Sequence, residues 1–435
     1  MLQFATGSGE AEGSSRNPLA GKKVWIPPMA AGSARLFAAG FRAMGIDADP
    51  TPPSDERTRE LGAQHTCGDE CYPAKVTVGD FIREIERSPD PSRMVLFMPT
   101  SDGPCRFGQY APYLRQILDA NGYQTTQILS PTSENSYDGL GDLAGAFMRT
   151  GWRALVAGDI LQKMLLVYRP HEAQPGETDR VYEECLSDLC RTIETSPLDP
   201  KPQLEAMRVS MVRGRDKFRA IRGARDRSKP LIGVVGEIFC RLNTFSNEDL
   251  ARRVEEYGGE CWVSDLTEWI WYTNSEQFRK LRLMGKQISV DALKAWIKNK
   301  VQRADEHTLL EPFQEDFEGY EEPPTDEILD RARPYLPQDG ALGEMVLNAG
   351  KTAALFTRGV DAVIDISPFT CMNGIVSEAI YPKLSRELDG LPIRTFYFDG
   401  ARTDLDRDLG VFLELARTYQ RRKKHQRRYP KYPRT

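Results

Sequence analysis

The chain has 435 residues, of which 40% are hydrophobic and 28% charged, with a formal net charge of −5. That is about two to three times a typical domain, so two lobes with separate cores are expected. The composition excludes a largely disordered or fibrous chain, and no run of about eighteen apolar residues is present to cross a membrane.

Residues 1–19 are rich in Gly, Ser, Ala and Glu without an apolar stretch, and read as a floppy leader rather than a signal peptide. A cytoplasmic address follows. In such a reducing compartment the eight cysteines serve packing, catalysis or metal binding more readily than disulfides. With only four histidines in the chain, thiolate is the ligand at hand for a metal. Setting aside the eight Lys and Arg of residues 421–435 leaves about −13 on the remainder. The basic tail could meet RNA, DNA or anionic lipid, although a terminal charge run is more often solvated; the acidic body makes nucleic acid an unlikely ligand.

In chain order, Lys23–Pro28 reads as a strand, Ala34–Met44 as a helix and Ile46–Pro50 as extended chain, which together make one β-α-β unit. Strand Met94–Pro99, helix Phe107–Ala120, strand Gln124–Ser130 and the long helix Asp142–Val167 follow, then helix throughout 178–225. The alternation restarts after Pro230 with strand Leu231–Val235, helix Asn247–Tyr257 and strand Cys261–Val263. A helical insert at 275–305 and an acidic, proline-containing linker at 311–327 come next. Helix 341–357, strand Asp361–Ile366, helix Gly374–Leu388, strand Ile393–Phe398 and helix Asp406–Thr418 complete the pattern. Alternation of this kind predicts parallel sheets covered by helices. The expected organisation is a leader (1–19), an N-terminal α/β lobe with a helical connector (20–225), a C-terminal α/β lobe (226–420) and the basic tail (421–435).

Cys105 and Cys371 each follow an apolar strand and precede a helix, where open α/β sheets place ligands. A helix N-terminus offers free N–H groups and positive dipole, which favour thiolate. Cys67 and Cys71 lie four apart, so on a helical turn they share a face, and Pro73 suits the first turn of the next helix. The Gly- and Pro-rich settings of these four are loop chemistry, whereas Cys185, Cys190, Cys240 and Cys261 read as packing residues. Paired Cys-x-x-Cys knuckles are absent, yet spacing alone does not choose iron over zinc. Asp69 and Glu70 could move a proton or bind a cation, Arg106 could pair with a phosphate, and Gly233-Val-Val-Gly236 could cradle one; loop acids, a surface ion pair and a tight turn are the plainer readings. Trp262, Trp269, Trp271 and Tyr272 suit packing.

Gly68-Asp-Glu-Cys-Tyr-Pro-Ala-Lys, Met98-Pro-Thr-Ser-Asp-Gly-Pro-Cys-Arg-Phe-Gly and Pro368-Phe-Thr-Cys-Met-Asn-Gly, taken in this order and spacing, resemble the 2-hydroxyacyl-CoA dehydratase / benzoyl-CoA reductase superfamily. The likeness is greatest to the C-terminal part of its long CoA-substrate-specific activase relatives. Gly233-Val-Val-Gly-Glu-Ile, Glu255-Glu-Tyr-Gly-Gly-Glu and Phe396-Tyr-Phe-Asp-Gly extend it over residues 20–415. The resemblance implies two flavodoxin/Rossmann-like lobes with a metal site in the cleft between them. In that cleft Cys71, Cys105 and Cys371 would hold a 4Fe-4S cluster, with Cys67 as the expected fourth ligand. It further implies an electron from a separate ATP-dependent activator protein, an acyl-CoA substrate, and a homo- or hetero-dimer. The chain departs from the pattern in lacking a P-loop, and in reading Cys371-Met-Asn where many relatives read Cys-Met-Pro. The alternative expectation is a non-catalytic iron-sulfur or zinc protein, an electron carrier or interaction module whose basic tail recruits a partner.

Overall fold

The computed structural model describes residues 19–433, apart from 102, 104, 132–137, 338–341, 402 and 403. Residues 1–18 of the expected leader lie outside the described residues, and Leu19 is already buried in a core.

The first lobe runs β1 (Lys23–Ile26), α1 (Ala31–Ala43), β2 (Asp47–Pro50), α2 (Glu56–His65), α3 (Tyr72–Arg87), β3 (Met94–Phe97), α4 (Tyr110–Ala120) and β4 (Gln127–Leu129). Its four strands are all parallel, in the order β2-β1-β3-β4. The two-residue period of the strands divides their side chains between two cores. Val24, Ile26, Val95 and Phe97 pack with Phe41 of α1 on one face; Met94 and Leu96 meet Phe81 of α3 and Leu114 of α4 on the other. With both faces covered, the strands are short apolar runs, as a parallel sheet requires.

Helices α2 and α3 touch through backbone. A Cβ on Gly62 would stand 2.3 Å from the Lys75 carbonyl oxygen, and one on Gly79 would stand 1.9 Å from that of Thr58. Asp55 and Thr58 form a reciprocal cap at the start of α2. Beneath it the buried Asp80 accepts from Ser54 (2.7 Å) and Thr58 (2.8 Å).

Three helices then lead to the second lobe: α5 (Ala144–Tyr168), α6 (Glu177–Thr195) and α7 (Pro200–Arg219). The expected continuous helix over 178–225 is interrupted at Ser196-Pro197-Leu198-Asp199, because the residue before a proline is driven out of the helical region; Ser196 sits at φ −78°, ψ 146°. The second lobe comprises β5 (Leu231–Gly236), α8 (Ile238–Leu242), α9 (Leu250–Glu256), β6 (Glu260–Val263), α10 (Leu266–Leu283), α11 (Val290–Leu310), α12 (Thr325–Ala332), α13 (Glu344–Thr357), β7 (Ala362–Pro368), α14 (Met372–Glu387), β8 (Ile393–Phe398) and α15 (Leu405–Arg422). Its sheet, again all parallel, is ordered β6-β5-β7-β8, the same winding as the first. The protein is thus an α/β fold with two separate small parallel sheets flanked by helices.

Helix α5 joins the lobes. Phe147 packs in the first sheet's core, Leu166 in the second's, and Trp152 to Tyr168 in the core shared with α6 and α7. Three buried polar side chains on α5 are committed: Arg153 to Asp305 of α11 (2.7 Å), Asp159 to the N–H groups of Leu266 and Thr267 at the start of α10 (3.2 and 2.8 Å), and Lys163 to Glu322 (2.6 Å).

The C-terminal segment does not behave as a solvated tail. Arg427 is buried against Glu260 and Tyr320, where His171 also meets Glu260 at 3.2 Å, and Lys423 pairs with the buried Asp361 at 2.7 Å. These cations offset buried carboxylates at the starts of β6 and β7: Arg427 adds to Arg225, which stands 3.6 Å from Glu260, and Lys423 neutralises Asp361.

Two measurements test these contacts. Gly79→Ala should lower stability in a urea melt by about 1–3 kcal/mol, since α2 must lift off α3; an unchanged midpoint would remove the close approach as a constraint. Arg427→Ala should cost on the order of 3 kcal/mol by leaving Glu260 short of charge in the interior, whereas a loss below about 0.5 kcal/mol would return this segment to the class of surface charge.

Candidate functional site

In both sheets the chain winds outward in opposite directions from the central strand pair, β1/β3 in one and β5/β7 in the other, so a crevice opens at the carboxyl ends of those strands. Cys105 lies on the segment leaving β3 and Cys371 on the segment leaving β7, while Cys67 and Cys71 lie in the loop between α2 and α3.

Cys71 is the N-cap of α3, with Pro73 in its first turn as the sequence suggests. It is buried, and its Sγ lies 2.6 Å from the Tyr110 hydroxyl. Cys105 follows β3 and caps a single 3-10 turn, Arg106–Gln109, that feeds α4; its Sγ accepts from the Phe107 N–H at 3.5 Å. Cys371 follows β7 and caps α14, after Thr370 at φ +65°. The helix beyond it can sit against β7 only because residue 374 is glycine: a Cβ there would lie 1.9 Å from Ser367 Oγ. Three thiols from widely separated segments thus stand at three helix starts.

Cys67 and Cys71 do not share a helical face. α2 ends at His65 and α3 starts at Tyr72, and the loop between them turns at Gly68, φ +101°. Glu70 organises that loop by accepting from the N–H groups of Cys67 (3.1 Å) and Gly68 (2.9 Å) and from the Tyr113 hydroxyl. Cys67 is consequently exposed, beside Glu70 and Tyr113. Arg106 donates to the Asp69 carbonyl (2.7 Å) and so pins the same loop. Gly233 and Gly236 serve close packing: a Cβ would stand 2.7 Å from Leu355 and 2.1 Å from the Ile366 carbonyl oxygen respectively.

Four further groups stand at this crevice. Cys240 is, as expected of a packing residue, fully buried on α8 in the second sheet's core, and it lies within electrostatic reach of Cys71 and Cys371. Glu237, at the end of β5, caps α8 by accepting from the N–H groups of Phe239 (3.1 Å) and Cys240 (2.8 Å). Glu344, at the start of α13, accepts from Asn373 Nδ2 at 2.6 Å. Tyr110 is the fourth. Glu237 sits at a strand end and could have been flagged on that ground, but nothing local marks Glu344 or Cys240. Asn373 is the residue that departs from the Cys-Met-Pro pattern, and here it is the partner of a buried acid.

Electrostatically the crevice is unfriendly to charge. Burial pushes the Cys371 thiol up to about 11 and raises Cys71 as well, outweighing the N–H groups that pull the other way; Cys105 is the exposed member of the three. The helix-start argument alone therefore misjudges the free thiols. Burial and the neighbouring Glu237 push Glu344 up to about 7, and burial raises Glu237 too. Both carboxyls and Cys371 act on Cys105, and Cys71, Cys105 and Glu237 all act on Tyr110. Among the described residues no three His, Cys, Asp or Glu side chains close on a point that one metal ion could occupy. Nor is any described helix long and apolar enough to cross a membrane.

No family model matches the chain, and no curated protein matches it.

Alkylation at about pH 7.5 reads this ordering directly. Exposed Cys67 should be labelled first, with Cys71, Cys371 and Cys240 far slower and accelerating as pH rises toward 10. Equal labelling of Cys371 and Cys67 at neutral pH would contradict the raised thiols.

Proposed function

We propose that this chain is a cytoplasmic iron-sulfur protein in which Cys71, Cys105 and Cys371 hold a 4Fe-4S cluster between two flavodoxin-like lobes. On this reading it resembles a 2-hydroxyacyl-CoA dehydratase component, and it takes a low-potential electron from a separate ATP-dependent activator for radical or reductive chemistry on an acyl-CoA. The observation that carries the reading is that three cysteines, remote in sequence, each stand at the start of a helical segment, two of them after central strands of the two sheets.

The donor set suits the group. Thiolates are the ligands iron-sulfur clusters take, and a structural zinc would accept the same donors. The Phe107 N–H and the Tyr110 hydroxyl already face cysteine sulfurs and would serve as hydrogen-bond donors that orient them. When bound, the cluster supplies one-electron transfer. The protein's own groups do the rest. When ionised, Glu237 and Glu344 favour a low potential. Glu344, pushed up to about 7 by burial and Glu237, can hold or release a proton inside the crevice near neutral pH. Because the free thiols sit high, cluster uptake must release their protons, and loading should improve with rising pH.

One observation favours a second reading. Cys240 is buried within electrostatic reach of Cys71 and Cys371, and a fourth thiolate there would close the cluster and leave electron carriage without substrate chemistry. Of the basic tail, Lys423 and Arg427 are committed to Asp361 and Glu260, while Arg421, Arg422 and Lys424 stay exposed and could meet a partner on this reading.

Anaerobic purification with iron, sulfide and zinc analysis tests both. About four iron and four sulfide per chain are expected, lost in Cys71→Ala, Cys105→Ala and Cys371→Ala and retained in Cys67→Ala. Loss in Cys240→Ala as well would select the closed, carrier reading. Stoichiometric zinc, or no metal in the wild type, would overturn the iron-sulfur assignment.

A further inference from the structure

We propose that the α10–α11 hairpin is a self-association surface on which a second copy of this chain docks its own hairpin.

The two helices fold back on each other through residues 284–289, with Gly285 at φ +67° and Ser289 capping α11 through the Ala292 N–H. One side of the hairpin is anchored: Ala292 and Ala295 are buried, and Asp305 holds Arg153 of α5. The other side is apolar and open. Leu283, Met284, Ile288, Val290, Leu293 and Trp296 are all exposed, Ile288 completely. With Ile297 they expose on the order of 800 Å² of surface, more than the largest apolar patch usual on a monomer and about what each partner contributes to a stable protein interface.

Shape and charge select the occupant. A groove of about 1070 Å³ runs between this hairpin and α12, floored by apolar residues that include Phe278, Leu281, Leu293 and Leu329. Its two walls differ in net sign. The hairpin lines the groove with Arg279 and Arg282 against Glu276 and carries Lys280, Lys286, Lys294 and Lys298 elsewhere on its length, while α12 brings Asp326 and Asp330, with Arg333 just beyond it paired to Asp330 at 3.0 Å. A two-fold axis lays the basic hairpin of one copy against the acidic α12 wall of the other, and the reverse, so both patches are covered by one self-complementary contact. A lipid surface would match the basic hairpin, but it would leave the concave groove unfilled and set Asp326 and Asp330 against anionic headgroups.

Sedimentation velocity on the full chain from about 1 to 100 µM decides the matter. The wild type should sediment as a dimer. Ile288→Asp with Leu293→Asp, both at exposed positions, should weaken association at least about 100-fold with an unchanged thermal melt. Asp330→Lys, which touches no apolar contact, should weaken it about tenfold, and it carries the test if the double variant misfolds. A monomeric wild type, a dimer indifferent to both variants, or a monomer that floats with phosphatidylserine–phosphatidylcholine vesicles would each overturn the proposal.

Discussion

A helix that is apolar on nearly every side must be enclosed, and enclosing α5 organises the molecule. Its 25 residues carry buried side chains almost throughout, from Phe147 to Tyr168. Neither sheet by itself could cover them. The first lobe takes the N-terminal end through Phe147, the second takes Leu166, and α6, α7 and α11 wrap the remainder. Polar groups on α5 add direction to that burial: Asp159 caps α10 and Lys163 reaches Glu322, so the second lobe is held in one orientation about the helix. The relative placement of the two sheets, and with it the crevice, follows from this enclosure.

Within the crevice two effects oppose each other. Helix N-termini stabilise thiolate, and burial beside acidic neighbours destabilises it. Burial wins for the free protein at Cys71 and Cys371. Buried thiols in such surroundings stay protonated at neutral pH, while a carboxyl such as Glu344 stays near its titration point. Protein surroundings that resist charge also resist hydration, which is the condition for hydrogen bonds such as Tyr110 to Cys71 to count.

The alternation of strands and helices was legible because each element carries its own period. Met94–Phe97 and Leu231–Gly236 are apolar runs of strand length, and the restart of the pattern at Pro230 marks the second lobe. The strand-to-helix handovers before Cys105 and Cys371 were legible for the same reason. What failed did so through contacts distant in sequence. Cys67 and Cys71, four apart, look helical, but Gly68 and the hydrogen bonds of Glu70 make a loop instead. Arg427 and Lys423 look like solvated charge until Glu260 and Asp361, more than sixty residues before them, supply buried partners. The helical insert was anticipated, but its exposed apolar side was not, because periodicity reports that a helix has an apolar face without reporting what covers it.

By itself, then, the sequence determined the α/β class, the two lobes and the placing of Cys105 and Cys371 at strand ends, all of which rest on local periodicity and turn chemistry. Only the tertiary structure decided that the two sheets share one winding order, that Cys240, Glu237, Glu344 and Tyr110 join the cysteines, and that Cys67 stands apart with Tyr113. Those outcomes depend on which faces meet once α5 is enclosed. A side chain's burial, and hence its charge state, is a property of what packs against it and is not written in its neighbours along the chain.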